Sequence, residues 1–289
     1  MKQLLILSGK GGTGKTTLAA ALVRFSHSRA YADCDVDAPN LHLVIAQNTE
    51  PVQTDYYGFG KAVIDRAACI GCGVCERNCR FGAIQNLSVD LFECEGCGLC
   101  EELCPVHAVK LRKYVSGDLM LYQSPESVFS TAQLKMGSGA SGKLVTAVKR
   151  QLLKQAENTA EWAVIDGSPG IGCPVIASVS GADLVLIVAE PTVSGIHDMK
   201  RIIQTAGHFG VKCVACINKH DVNPDNTKEI ERYCGANQIP VIGKIPFDKT
   251  VVQAVNCCRS IADYPESPAG KAVHSVWNRL MEYVGENAS

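Results

Sequence analysis

Gly9-Lys10-Gly11-Gly12-Thr13-Gly14-Lys15-Thr16-Thr17 stands directly after the apolar run at 4–7 and directly before the apolar run at 18–23. A glycine, four residues and then Gly14-Lys15-Thr16 is the phosphate-loop pattern, and each residue type in it has a physical job. Glycines let successive backbone N–H groups turn inward without a Cβ clash, and the helix that follows adds its positive end. The bed for the phosphates of ATP or ADP is therefore residues 11–17: Gly11, Gly12, Thr13, Gly14, Lys15, Thr16 and Thr17. Lys15 neutralises the β and γ phosphates, and the Thr16 hydroxyl is offered to Mg²⁺, which keeps most of its waters.

Working outward, the apolar run reads as a buried parallel strand and 15–24 as the helix after it. A second strand at 29–34 ends in Asp33-Cys34-Asp35-Val36-Asp37. Ligands of open α/β sheets bind outside the carboxyl ends of the strands, so these carboxylates belong beside nucleotide and metal. Asp33 is expected at Mg²⁺, and one of the group could orient the attacking water. A third strand at 162–165 ends in Asp166-Gly167-Ser168-Pro169-Gly170, and Asp166 suits a place in the outer shell of Mg²⁺. Strands at 184–189, 213–217 and 241–245 alternate with helices, which implies an α/β fold with a mostly parallel sheet flanked by helices. Asn218 and Pro246 fall at the carboxyl ends of two of them and are expected near the base.

Between Cys69 and Cys104 the pattern changes. Cys69, Cys72, Cys75 and Cys79 are spaced x2, x2, x3, and Cys94, Cys97, Cys100 and Cys104 repeat that spacing with Pro105 behind, a duplication with a period of 25 residues. In bacterial two-cluster ferredoxins the fourth cysteine of each run ligates the other cluster. The expectation is one 4Fe-4S cluster on Cys69, Cys72, Cys75 and Cys104, and a second on Cys79, Cys94, Cys97 and Cys100. Structural zinc uses C-x2-C pairs and suits two matched four-cysteine runs poorly, and disulfides belong to small secreted chains. Residues 69–104 carry six acids (Glu76, Asp90, Glu93, Glu95, Glu101, Glu102) against two bases (Arg77, Arg80), so a basic redox or iron-sulfur protein is the expected partner. The inserted α+β ferredoxin-like module is placed at 56–115, between the ATPase parts 1–55 and 116–289.

Composition bounds the rest. With 289 residues, 46% of them hydrophobic, the chain can bury a sizeable core. A formal net charge of −1 gives no general case for nucleic-acid or membrane binding. No apolar run reaches membrane-spanning length, and the start is too short for a signal segment, so a cytoplasmic protein is expected. Gly137-Ser138-Gly139-Ala140-Ser141-Gly142-Lys143-Leu144 nearly repeats the first motif, but Leu144 replaces the hydroxyl, and Ser141 reads as the cap of a helix to 154. The seven cysteines outside the repeat read as small buried hydrophobes, with Cys173 set apart by its place behind Asp166. An amphipathic helix at 271–284 presents Val273, Val276, Trp277, Leu280 and Val284 to the core.

With Lys10 ahead of Lys15, the loop resembles the deviant phosphate loop of the MinD/Mrp family of dimeric ATPases, which includes the nitrogenase iron protein. Asp33-Cys34-Asp35 resembles its switch I and residues 166–170 its switch II. The chain is most similar to the subgroup with a ferredoxin module inserted after switch I. The resemblance implies an ATP-sandwich dimer, a homodimer or a pair with a homologous subunit. In it Lys10 reaches the partner's nucleotide, Asp35 positions the hydrolytic water, and Lys10, Lys15 and Asp35 are catalytic. No basic tail like MinD's is present, so no membrane anchor is expected, and the cysteine pair that bridges the nitrogenase iron protein is not matched. Three functions follow: ATP-gated electron transfer, iron-sulfur cluster assembly or carriage, and nucleotide-switched organisation of other proteins as in cell-division positioning.

Overall fold

The computed structural model describes residues 1–47, 49–156 and 160–286. The end of the C-terminal tail, part of the no-anchor expectation, lies outside the described residues. In chain order the first elements are β1 (Lys2–Leu7), α1 (Lys15–Ser26), β2 (Ala30–Asp33), α2 (Leu41–Val44) and β3 (Val52–Tyr57). The cysteine-rich stretch holds β4 (Lys61–Ile64), α3 (Val74–Arg77), β5 (Ile84–Gln85), β6 (Ser88–Val89), α4 (Leu99–Glu102) and β7 (Val109–Arg112). Then come β8 (Val115–Gln123), β9 (Val128–Leu134), α5 (Ser141–Gln155), β10 (Trp162–Asp166), α6 (Cys173–Val179) and β11 (Leu184–Ala189). The chain closes with α7 (Val193–His208), β12 (Lys212–Asn218), α8 (Pro224–Ala236), β13 (Val241–Ile245), α9 (Lys249–Asn256), a 3-10 turn (Ile261–Asp263) and α10 (Pro268–Glu286).

Nine strands form one sheet in the order β13-β12-β11-β1-β10-β2-β9-β8-β3. The strands from β13 to β9 are parallel, and β8 and β3 close one edge as an antiparallel pair. Alternation along β1 explains the layering: Leu5 and Leu7 face a cluster that takes in α5, α6, α7 and α8, whereas Leu4 and Ile6 face one that takes in α1 and α10. A sheet covered on both faces needs near-continuous apolar strands, which is what β1, β10 and β11 supply. Each fully buried Leu or Ile contributes about 2 kcal/mol. Val273, Val276 and Leu280 of α10 are buried and Trp277 and Val284 pack beside them, as its apolar stripe predicts.

Several expectations are corrected. Ser141 is the first residue of α5, not its cap; Ala140 holds the cap position with φ 73° and no side-chain cap bond. Residues 109–122 divide between two sheets: β7 pairs with β4 in a separate two-stranded sheet and only β8 joins the main one. Cys173, Cys257 and Cys258 are exposed rather than buried, while Cys34, Cys216 and Cys234 are buried and Cys213 half-buried. Cys213 and Cys216 pack into opposite faces of the sheet, as their spacing on β12 requires.

Candidate functional site

The loop from β1 to α1 takes left-handed turns at Gly12 (φ 79°) and Gly14 (φ 90°), and no side chain caps α1. Its first-turn N–H groups, which lack helical partners, are left for an anion. Lys15 is 5% exposed and its Nζ donates to Asp166 Oδ1 at 2.6 Å. Register explains the meeting: Ile6 of β1 pairs with Asp166 of β10, and Asp166 with Asp33 of β2, so the two carboxylates end adjacent strands. Asp33 Oδ1 accepts the Asp35 N–H, and its Oδ2 accepts those of Asn40 and Leu41, which fixes the first bend after β2.

Electrostatics at this point are tight. Burial, and then the charge of Asp166, push the Asp33 carboxyl up to about 7, against the backbone donors and Lys15. Burial works against the Lys15 ammonium, but Asp166 outweighs it and the net shift is upward. Asp35, half-buried, is raised by burial and partly relieved by Lys15. Asp166 Oδ2 is buried, with no hydrogen-bond partner among the described residues. Two carboxylates around one lysine leave acceptor capacity that a hydrated divalent cation fits, with Thr16 Oγ1 beside the Lys15 Nζ at 3.5 Å.

Lys10 turns back into its own chain, with Nζ 3.4 Å from Thr192 Oγ1 and from Ser194 Oγ and 3.7 Å from Glu190 Oε2. Glu190 also takes Lys219 at 3.0 Å, and Lys219 reaches the Gly12 carbonyl at 3.3 Å. Sequence reading missed both Glu190 and Lys219, although each follows a strand's carboxyl end. Asn218 Nδ2 donates to the Thr13 carbonyl at 2.7 Å, so Asn218 shapes the phosphate loop from below. Asn218 and Pro246 line one cavity of about 210 Å³ with Gly12, Gly14, Thr17 and Phe247. Switch-like residues 166–170 are tied to β1 and its loop, Gly167 N donating to the Ile6 carbonyl and Gly170 N to the Ser8 carbonyl, and to the end of β2, Ser168 Oγ donating to the Cys34 carbonyl.

The eight repeated cysteines gather in two hollows. One is lined by Cys69, Cys72, Cys75 and Cys104, the other by Cys79, Cys94, Cys97 and Cys100. Each half turns on left-handed glycines, Gly71 and Gly73 in the first, Gly96 and Gly98 in the second, ahead of the one-turn helices α3 and α4. Backbone N–H groups point at sulfur, Ala62 to Cys94 at 3.5 Å and Ala108 to Cys104 at 3.2 Å. Among the described residues no three His, Cys, Asp or Glu side chains are close enough to share one metal ion. Four thiolates around an iron cube each take a different iron, and that donor set is what each hollow offers.

A P-loop α/β fold with its loop lysine between two strand-end carboxylates defines a class of nucleotide-binding protein. Residues 4–257 match the CobQ/CobB/MinD/ParA nucleotide binding domain family, and the chain belongs to it. It is 30% identical over 290 residues to an uncharacterized protein of Methanocaldococcus jannaschii, covering 98% of this chain and 97% of that one. An uncharacterized ATP-binding protein of the same organism is 25% identical over 287 residues, covering 96% and 87%. Among solved structures the septum site-determining protein MinD of Pyrococcus horikoshii, complexed with Mg-ADP, superposes with a TM-score of 0.60 at 16% identity, covering 99% and 98%. The last likeness speaks for the fold. Among the described residues no helix is long and apolar enough to cross a membrane.

Proposed function

We propose that the chain binds Mg-ATP, hydrolyses it in a dimer whose partner copy or homologous subunit supplies Lys10, and uses the cycle to control an iron-sulfur module at 56–115. The observation that carries the ATPase half is the buried meeting of Lys15, Asp33 and Asp166 under an uncapped helix start. In this reading the amides of residues 11–17 and Lys15 bind the phosphates, Thr16, Asp33 and Asp166 hold the hydrated Mg²⁺, and Asp35 orients the attacking water. Asn218 and Pro246 flank the base.

For the module, support comes from the crossed grouping of the thiols: Cys104 sits with the first run and Cys79 with the second. Bound there, two 4Fe-4S clusters supply one-electron exchange. The chain's own contribution is to exclude water from Cys75, Cys94 and Cys104, which are buried, and to direct amides at sulfur. A basic redox or iron-sulfur protein is the proposed partner.

Anaerobic purification with iron and sulfide counting tests the module, with about eight irons per chain expected. A colourless, iron-free preparation defeats it. Mg-ATP hydrolysis, abolished in Lys15→Ala, tests the ATPase. A second reading has its own support in the likeness to MinD: a nucleotide-switched organiser of another protein, with the clusters as sensor or brace. ATP-dependent capture of a non-redox protein, with cluster potentials identical in the ADP and ATP forms, would favour the organiser. Transfer of clusters to an apo-acceptor would favour an assembly carrier.

A further inference from the structure

Lys61 opens β4 and is 4% exposed. Its Nζ donates to the carbonyl of Cys94 and, at 3.1 Å, to the carbonyl of Gly137, and it lies 5.6 Å from the centre of the Tyr114 ring. Among the described residues it forms no ion pair. The two other deeply buried lysines differ. Lys15 is paired with Asp166, and Lys149, which caps the carbonyls of Ser178 and Ser180, feels the charge of Asp183. Carbonyls satisfy the protons of an ammonium but not its charge, and a buried charge without an opposite one is strongly unfavourable.

What stands next to Lys61 is the hollow of Cys79, Cys94, Cys97 and Cys100, lined also by its neighbour Ala62, whose N–H points at Cys94 Sγ. A four-iron cluster on four thiolates is an anion in both of its usual oxidation states. We propose that Lys61 is the built-in counter-charge of the cluster in this hollow and holds its reduction potential above that of the cluster in the other. The proposal rests on the iron-sulfur reading of the preceding subsection.

The rest of the module makes the two hollows electrically unequal. In the repeat of 25 residues the counterpart of Lys61 is Asn86, which is neutral. Among the described residues no charged side chain lines the hollow of Cys69, Cys72, Cys75 and Cys104, although Arg77 lies beside Gly73, and Glu95 lines the hollow next to Lys61; both are exposed, where solvent screens them, whereas Lys61 is buried. A cation in a site closed to water favours the state with one more negative charge, so it raises the potential. Lys61 also joins the module to the residue 137 loop, which puts the higher-potential cluster on the side of the ATPase.

The test is a dithionite titration, which delivers one electron per cluster, followed by electron paramagnetic resonance on the iron-loaded wild type, Lys61→Gln and Lys61→Arg. Gln keeps a donor for the carbonyls and loses the charge; Arg keeps the charge. The higher of two wild-type potentials is expected to fall in Lys61→Gln, with the other unmoved, and both are expected to hold in Lys61→Arg. Loss of iron in Lys61→Gln but not in Lys61→Arg supports the counter-charge equally. Iron-loaded Lys61→Gln with neither potential moved, or both moved alike, overturns it. So does failure of both variants to take up iron, which would make Lys61 a structural tether. An iron-free wild type would instead defeat the underlying iron-sulfur reading.

Discussion

Lys15 is held by Asp166, and in the proposed function it exchanges that carboxylate for phosphate. Lys15→Ala is expected to weaken Mg-ATP binding by roughly 100-fold, about 3 kcal/mol, by calorimetric titration. Asp33 yields a prediction with a sign. Its carboxyl is pushed up to about 7 in the fold, whereas an unfolded Asp titrates near about 3.9. Between those values the folded chain keeps a proton that the unfolded chain has lost. The contribution of Asp33 to stability therefore falls as pH rises from about 4 to about 7, and is level above. Asp33→Asn, which does not ionise, should gain on the wild type by about 2 kcal/mol between about pH 5 and about pH 7 in denaturant titrations without nucleotide. A difference that stays constant over that range would remove the assigned shift.

At the scale of elements, the start of α1 depends on β12. Gly14 sits at φ 90°, and a Cβ there would run into the Asn218 amide that bonds Thr13. Gly14→Ala is expected to cost about 2 kcal/mol in chemical denaturation and to weaken nucleotide binding, because it strains the turn and breaks the bond that shapes it. β1, β10, β11 and β12 were legible in the sequence because both faces of each are covered, which writes an apolar run. β9 was not: Ser130 and Thr131 are buried in it, Ser130 donating to the Val148 carbonyl, so its polar residues hide a buried strand. β3 was missed for the opposite reason, being an edge strand exposed along most of its length. In the site, the residue types of the loop and the strand-end rule singled out Lys15, Asp33 and Asp166. The Lys219–Glu190 pair joins two strand ends far apart in sequence, and no local spacing announces it.

At the scale of the whole molecule, the cysteine stretch enters from β3 and leaves into β8, which are antiparallel neighbours with Tyr57 opposite Val115. Beyond them Lys61 stands opposite Arg112, so entry and exit form one ribbon at the edge of the sheet. Replacing residues 58–114 by a two-residue turn should leave a chain that unfolds in one transition and binds Mg-ATP within about twofold of the wild type. Loss of nucleotide binding in that variant would show the two parts to be inseparable. The cradle of Lys10 in its own Glu190, Thr192 and Ser194 has a consequence for any assay. A solitary molecule keeps this lysine engaged at home, so turnover per chain is expected to climb with dilution reversed and to level off only once encounters saturate. Under the proposed function, the rate per chain would thus report how many copies are present.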